Sequence, residues 1–163
     1  MKHLTRAVLL TSILALAACS NAGRFGSDTV DLNGAGSASD PTSPLYFQES
    51  VGDRVFFAVD QSNLSSEAKF TLDAQADWMM TNADYTAIIE GHADEQGTRE
   101  YNLALGARRA NSVQEYLVLR GVSPARLKVV SYGKERPIEI CSQEACYTKN
   151  RRAVTIISVD YTG

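Results

Sequence analysis

The sequence has few cysteines and histidines and no excess of positive charge. It contains three cysteines and two histidines in 163 residues, and His92 is the only histidine beyond the extreme N-terminus. These counts provide no recognisable set of zinc ligands, so we expect no metal and no cofactor. The 16 Lys+Arg against 19 Asp+Glu give a formal net charge of -3. This charge gives no support to nucleic-acid binding.

Long apolar runs are also scarce, and the one at the N-terminus is too short to span a membrane. Residues 7–18 are apolar, follow a start containing Lys2 and Arg6, and end in Leu16-Ala17-Ala18-Cys19. Small residues directly before a cysteine resemble the lipobox of bacterial lipoproteins, in which that cysteine is lipidated and becomes the first mature residue. We therefore expect a signal peptide over 1–18 and acyl chains such as palmitate on Cys19. An ordinary signal peptide with a chance cysteine is the alternative.

The residues after Cys19 predict a location and a linker. In the enteric sorting rule an aspartate next to the cysteine indicates inner-membrane retention, whereas this chain has Ser20. The resemblance therefore implies a lipid anchor at the periplasmic face of the outer membrane, which several acyl chains hold stably. From Ser20 to about Pro44 the chain is rich in Ser, Gly, Asp, Asn and Thr, typical of a flexible linker. We expect the lipidated cysteine and linker over 19–45 and a folded domain over 46–163.

The other two cysteines lie close together in a polar loop. Cys141 and Cys146 are separated by Ser, Gln, Glu and Ala. Outside the cytoplasm such a pair predicts a disulfide. A zinc site is the competing interpretation, although it would need two further ligands.

Hydrophobic periodicity and helix-start residues predict an α+β sandwich in the order βαβαββ, with helices on one face of a mixed four-stranded sheet. In the first strand we expect Val55, Phe57 and Val59 to share a face. Ser65 and Thr98 are expected to cap the two helices. The apolar stripe expected in the second helix consists of Leu103, Ala107, Ala110, Val113 and Leu117. The predicted strands are Asp53–Asp60, Tyr85–Gly91, Arg126–Tyr132 and Ala153–Tyr161, and the second helix runs to about Arg120, before Gly121.

The start of the second helix carries residues suited to binding a zwitterion. Asn102 and Arg109 are seven positions apart and lie within about 20° of each other on one helix face, whereas Arg108 is displaced by about 100°. Helical side chains lean toward the N-terminus, so Arg109 can reach toward the loop that holds Asp94. A carboxylate for an ammonium group, a guanidinium for a carboxylate, and an amide would then converge. A structural Asp–Arg pair that fixes the loop is the equally weighted alternative.

Several blocks in one order resemble the OmpA-like peptidoglycan-binding domain family between about Val55 and Tyr161. They are Gly-His-Ala-Asp-Glu, Gly-Thr, Glu-Tyr-Asn, Leu-Gly, Arg-Arg-Ala-Asn, Val-Ser-Tyr-Gly-Lys-Glu-Arg-Pro and Asn-Arg-Arg-Ala-Val. The resemblance implies that the ligand is the meso-diaminopimelate of peptidoglycan. The positions that match the family's ligand residues are Asp94, Asn102, Leu105 and Arg109.

The chain departs from the family pattern after the first strand. Many lipid-anchored members read Phe-Asp-Phe-Asp where this chain reads Phe57-Ala58-Val59-Asp60. Ala58 has no carboxylate, so a ligand contact at this position could come only from the backbone. The loop with Cys141 and Cys146 is also longer than in enteric members.

The residues favour a binding module over an enzyme. His92 with Glu90 and Asp94 could be interpreted as a hydrolytic cluster, but no nucleophile is identifiable and Gly-x-Ser-x-Gly is absent. For Arg151 and Arg152 we favour a structural role bridging to carboxylates near the binding loop over a solvated, charged edge.

The resemblance implies a lipoprotein that tethers the outer membrane to the cell wall in the Tol envelope system. TolB is then the expected partner, TolA and OmpA-type proteins are further ones, and the expected role is in envelope integrity and division. A lipid-anchored adaptor of another envelope machine, and a cell-wall hydrolase that uses this fold as a carrier, are the alternatives.

Overall fold

The computed structural model describes residues 36–159. The predicted signal peptide, Cys19 and the first part of the predicted linker lie outside the described residues. Four strands are present, namely β1 (Arg54–Phe56), β2 (Tyr85–His92), β3 (Leu127–Gly133) and β4 (Arg152–Val159). Four helices are present, namely α1 (Pro44–Tyr46), α2 (Ser66–Thr81), α3 (Arg99–Leu119) and α4 (Glu144–Asn150). A π-helical turn at Phe47–Gly52 and a 3-10 turn at Pro124–Arg126 complete the described elements.

The sheet brings three connecting segments to one edge. Its strand order is β1-β4-β2-β3, with β2 parallel to β3 and β4 antiparallel to both β1 and β2. The chain therefore leaves β1, β2 and β3 at the same edge, and it enters β4 there. Helices α2 and α3 also begin at this edge, so two helix N-termini face the three segments.

The expected α+β architecture with a mixed four-stranded sheet is confirmed. Along β2, Ala87 and Ile89 are buried while Ile88 is half-buried, as expected for a sheet that helices cover on one face. The expected caps are also confirmed, because the Ser65 hydroxyl accepts from Ala68 N at 3.0 Å and the Thr98 hydroxyl accepts from Tyr101 N at 3.2 Å. The helices bury their apolar side chains on the sheet through residues that include Ala68, Leu72, Ala76, Met79, Ala110, Val113 and Leu117.

Helix α3 lies very close to strand β2. A side chain at Gly91 would overlap the carbonyl oxygen of Gly106, and one at Gly106 would come within 2.8 Å of the Gly91 carbonyl oxygen. Only glycine at both positions permits this approach. The close contact turns Asn102, Leu105 and Gly106 inward and leaves Leu103 48 % exposed. The predicted apolar stripe is therefore wrong at Leu103.

Two further predictions need correction. Strand β1 ends at Phe56, so Val59 lies beyond the strand and is 54 % exposed, not on a shared face with Val55 and Phe57. The predicted cysteine loop is partly helical, since α4 begins at Glu144. The predicted disulfide between Cys141 and Cys146 is confirmed, with their Cα atoms 5.9 Å apart.

Residues before the expected domain start also contact the domain. The indole of Trp78 donates to the Pro41 carbonyl at 2.7 Å, and Ser43 is buried. Phe47 packs edge-on against Trp78 with ring centroids 4.9 Å apart. Within residues 36–159, no helix combines the length and the apolar character needed to cross a membrane.

Candidate binding pocket

A cavity of about 330 Å³ lies where the segments after β1 and β2 meet the first turns of α3. Its walls combine carboxylates, amides and apolar side chains. The lining residues are Val59, Asp60, Asp94, Gln96, Gly97, Tyr101, Asn102 and Leu105. A larger groove of about 480 Å³, lined by residues that include Phe56, Phe57 and Lys149, contains none of the predicted ligand residues. The smaller cavity is therefore the candidate site.

Three of the four predicted ligand residues line this cavity. Asp94 is only 8 % exposed, and its Oδ1 accepts from Gln96 N at 3.1 Å. Asn102 is 1 % exposed, and its Nδ2 donates to the Gln96 carbonyl at 2.7 Å. Both side chains hold the backbone of Gln96, which gives the loop between β2 and α3 a fixed shape. Leu105 adds an apolar surface one turn further along α3.

Arg109, the fourth predicted residue, does not line the cavity. Its side chain is completely buried and donates to three backbone carbonyls, those of Gln61 at 2.8 Å, His92 at 2.8 Å and Ala58 at 3.2 Å. Burial lowers the pKa of its guanidinium to about 10, and the nearby Asp94 carboxylate opposes this shift. Arg109 thus joins the segments after β1 and β2 and places a buried positive charge next to the cavity.

The predicted helix faces are correct. Arg108 is exposed while Arg109 is buried, and the Arg108 guanidinium lies 5.9 Å from the Tyr101 ring centroid. The two neighbouring arginines therefore occupy different environments, as the helical rotation requires. They form a matched pair for mutational tests.

The ion-pair partner of Asp94 is Arg151, not Arg109. Arg151 Nη1 lies 3.1 Å from Asp94 Oδ2, and the same guanidinium pairs with Glu144. Its Nε donates to the Phe57 carbonyl at 3.2 Å. Because Arg151 is buried, the structural bridging role favoured for it agrees with these contacts, whereas a solvated charged edge does not.

The alanine that replaces the family aspartate contributes its backbone. The Ala58 side chain is exposed, while its carbonyl accepts a hydrogen bond from Arg109. The protein itself therefore already provides a hydrogen-bond donor to that carbonyl. Position 58 therefore supplies no carboxylate to the site.

The sequence did not single out Asp60, Tyr101 or Gln96 as pocket residues. Asp60 adopts a left-handed backbone with φ 56°, and its carboxylate accepts a hydrogen bond from the Tyr101 hydroxyl. The second aspartate of the family pattern falls on Asp60, and that signal could have identified it. Tyr101 lies in the first turn of α3 directly before Asn102, and the Glu-Tyr-Asn block could have identified it. Gln96 carries no comparable sequence signal, since the shape of the loop brings it to the cavity.

His92 lies behind the site and does not line the cavity. It ends strand β2, is 1 % exposed, and stacks on Tyr132 with ring centroids 5.6 Å apart. Within the described part of the chain, neither ring nitrogen has a hydrogen-bond partner, although Nε2 is 3.6 Å from Glu90 Oε2. Burial, together with the charges of Arg152 and Arg136, lowers the pKa of His92 to about 4. A neutral, buried ring is suited to packing.

The charges around the cavity are arranged asymmetrically. Asp60 and Asp94 present carboxylates at its wall, while the positive charges of Arg109 and Arg151 are buried in the surrounding protein. An ammonium group would meet two carboxylates, and an anionic group would be drawn toward the buried guanidinium of Arg109. Over residues 36–159, no cluster of three or more His, Cys, Asp or Glu side chains is placed to hold a metal ion.

Comparison with known proteins identifies the family of this fold and pocket. A model of the OmpA family matches residues 56–151, which is more than half of the chain and includes every residue that lines the cavity. The chain therefore belongs to the OmpA family.

Within that family the chain is similar to peptidoglycan-associated lipoproteins over nearly its whole length. It is 47 % identical to the one from Mesorhizobium japonicum over 93 % of this chain and 90 % of the relative. It is 46 % identical to the one from Rhizobium meliloti over 92 % of this chain and 85 % of the relative. The crystal structure of the peptidoglycan-associated lipoprotein from Burkholderia pseudomallei matches with a TM-score of 0.66 and 36 % identity, over 74 % of this chain and 98 % of that chain.

Proposed function

We propose that this protein binds peptidoglycan non-covalently, by holding the free end of a meso-diaminopimelate side chain in the pocket at the start of α3. The observation that carries the proposal is the convergence of Asp94, Asn102 and Leu105 on one cavity beside the buried charge of Arg109. The names of the relatives, which are peptidoglycan-associated lipoproteins, support peptidoglycan as the ligand.

The chemistry of the pocket suits a zwitterion. Asp94 and Asp60 attract the ammonium group. Asn102 uses one amide N–H on the Gln96 carbonyl, so its oxygen and its second N–H are left for the ligand. Three donor bonds of Arg109 go to backbone carbonyls, and a guanidinium has five N–H groups. The two N–H groups that remain match the two hydrogen bonds that a carboxylate accepts from an arginine in a two-point contact.

Binding without chemistry is the proposed activity. The pocket residues include carboxylates, amides and a phenol but no Ser–His or Cys–His pair of the kind that activates a nucleophile. The buried His92 has a lowered pKa and faces Tyr132, which suits a packing role. The protein is therefore proposed to act as a clamp on the cell wall and not as a hydrolase.

The anchor extends this proposal to the whole chain. Acyl chains on Cys19 would fix the protein to the periplasmic face of the outer membrane, and the domain would hold peptidoglycan at the other end of the linker. This arrangement connects the two layers of the envelope. A place in the Tol-Pal system, with TolB as a partner, and support of constriction during division are part of the same proposal. Changing Cys19 to Ser should release the protein from the membrane fraction or leave its precursor uncleaved, and normal retention would contradict the anchor.

Sedimentation with purified peptidoglycan tests the ligand. Asp94→Asn keeps the shape of the side chain and an acceptor for Gln96 N, but removes the charge that the ammonium group needs. Loss of one partner in such a buried charge pair costs about 2–5 kcal/mol, so the bound fraction should correspond to an affinity at least about tenfold lower. Arg108→Ala is the control, because that exposed arginine lies outside the pocket. Normal sedimentation of folded Asp94→Asn would contradict the proposal.

A further inference from the structure

The connection between β3 and β4, residues 134–151, contacts the pocket loop, residues 93–98, without lining the cavity. Strands β2 and β3 are parallel and end at the same edge, so these two segments leave the sheet side by side. The Ala93 N–H donates to the Gly133 carbonyl at 2.8 Å, which joins them at their start. A ligand in the cavity and the connection between β3 and β4 would therefore contact the same short loop.

Glu95 is exposed, and its carboxylate is the point where two hydroxyl groups of the connection meet the pocket loop. Its side chain does not line the cavity, although Asp94 and Gln96 on either side do. Glu95 Oε1 accepts from the Ser142 hydroxyl at 2.7 Å and from the Tyr147 hydroxyl at 2.9 Å. These two hydrogen bonds lower the pKa of Glu95, so the residue is ionised and accepts both strongly at neutral pH.

The Cys141–Cys146 disulfide fixes the two hydroxyls that meet at Glu95. Ser142 lies inside the covalent ring and Tyr147 follows it directly. The amides of Cys146 and Tyr147 both donate to the Gln143 carbonyl, at 2.9 Å and 3.0 Å. The ring and the first turn of α4 therefore form one rigid unit. Without the covalent closure, the segment bearing Ser142 would be free to move away from Tyr147.

Two more contacts tie the same connection to the loop. Lys134 Nζ donates to the Gly97 carbonyl at 2.7 Å and to the Glu95 carbonyl at 3.3 Å. Arg151 joins Asp94 to Glu144, which lies inside the disulfide ring. The loop is thus held at Asp94, Glu95 and Gly97 from one segment. A ligand that needs Asp94 and Gln96 in fixed positions would gain from this preorganisation.

We propose that the disulfide-bonded connection is a positioning device for the pocket, and that Glu95 is the positioning residue through which Cys141–Cys146 acts on ligand affinity. The inference rests on the proposed function for the identity of the ligand. It assigns a binding role to a disulfide and an acidic side chain that do not touch the ligand.

The test compares variants of the full-length protein in detergent by calorimetric titration with a soluble stem tripeptide ending in meso-diaminopimelate. The double variant C141S/C146S and the single variant Glu95→Ala should each raise Kd by about twofold to tenfold, the lower part of the range for coupled neighbours. Combined, they should raise Kd no further than either alone, since both break the same link. Glu95→Gln should raise Kd less than Glu95→Ala does, because its amide oxygen still accepts both hydroxyls but without the charge that strengthens these bonds. Thr148→Ala is the control, as its hydroxyl donates to the Glu144 and Ala145 carbonyls of α4.

Unchanged affinity in C141S/C146S, or effects of the two changes that multiply, would overturn the inference. Lack of tripeptide binding by the unchanged protein would instead refute the proposed function. Amide NMR shifts in the ligand-free protein then still decide the positioning claim. The signals of Asp94, Gln96 and Gly97 should move together in C141S/C146S and in Glu95→Ala. A pocket loop whose signals stay in place in both variants would overturn it.

Discussion

The two halves of helix α3 are both buried, but in different ways. The C-terminal half buries the apolar residues Ala110, Val113 and Leu117 against the sheet. The N-terminal half buries Asn102 and Arg109, which satisfy backbone groups of the neighbouring segments. The C-terminal half supplies hydrophobic stabilisation, whereas the N-terminal half holds the segments after β1 and β2 in a fixed arrangement around the cavity. Changes in the C-terminal half should therefore affect folding alone, and changes in the N-terminal half should affect folding and binding together.

The largest loss of stability without loss of binding is expected at Leu117. This side chain is 0 % exposed, so Leu117→Ala removes buried methyl groups and leaves a cavity. The free energy of unfolding should fall by about 2–5 kcal/mol, measured by urea denaturation. The neighbouring, partly exposed Val118→Ala should change it by less than about 0.5 kcal/mol. Tripeptide affinity below the unfolding transition should be unchanged, and a clear loss of affinity would break the distinction between the halves.

At Arg109 we expect stability and binding to fall together. Arg109→Ala removes the side-chain donor from the carbonyls of Gln61 and His92, and it leaves the Ala58 carbonyl with its hydrogen bond from Gln61 N alone. Each unpaired buried group of this kind typically costs about 1–3 kcal/mol. We therefore expect the free energy of unfolding to fall by about 3 kcal/mol in the same denaturation assay. Peptidoglycan binding should fall with it. Exposed Arg108→Ala is the matched control, and equal damage from both substitutions would contradict the assigned faces.

The region around the pocket should also give the protein a pH-dependent stability, through His92 at the end of β2. The apolar C-terminal half of α3 contains no histidine. Burial lowers the pKa of His92 to about 4, below the ordinary value of about 6.5. Between these values the unfolded chain binds a proton that the folded chain does not. Stability therefore falls as pH decreases through this window, and His92 contributes no further loss below it.

Comparison of the protein with His92→Leu isolates this effect. Leucine removes the titrating group, and neither ring nitrogen has a hydrogen bond to lose within the described residues. Between about pH 7 and about pH 4.5, the unchanged protein should lose about 2 kcal/mol more unfolding free energy than the variant. Parallel pH profiles for the two proteins would show that His92 does not take up a proton on unfolding in this range.

The smallest expected effect concerns the helix caps. Thr98→Ala and Ser65→Ala each remove a hydroxyl that caps a helix, and each should cost about 1 kcal/mol of stability. Only Thr98 begins the helix that forms the pocket, so only Thr98→Ala should also weaken tripeptide binding. Equal binding by both cap variants would show that the pocket does not depend on the first turn of α3.

The periodic parts of the chain could be predicted, and the reason is local. Ser65, Thr98 and the apolar residues of α2 follow rules that act within one or two helical turns. Leu103 could not be placed correctly, since its exposure depends on the close approach of Gly91 and Gly106, which are distant in sequence. The same limit applies to Val59, because the early end of β1 depends on pairing with β4.

The sequence predicted which residues lie at the pocket better than it predicted the contacts that these residues make. Asp94, Asn102 and Leu105 converge on the cavity as the helix spacing and the family resemblance implied. Their role as ligand residues stays a prediction. The pairing of Asp94 with Arg151 and the contact of Glu95 with the disulfide ring join segments about 50 residues apart. Such contacts depend on the order of the strands in the sheet, which the spacing of residues along the sequence does not predict.

A comparison of two ligands tests the central claim most directly. In the stem tripeptide ending in meso-diaminopimelate, the end of the last side chain carries an ammonium group and a carboxylate, whereas in the same peptide ending in lysine it carries only the ammonium group. If the pocket recognises a zwitterion, calorimetric titration of the unchanged protein should give a Kd at least about tenfold higher for the lysine peptide, since one charge of the site then lacks its partner. Equal affinity for the two peptides would contradict the assignment of this pocket to diaminopimelate.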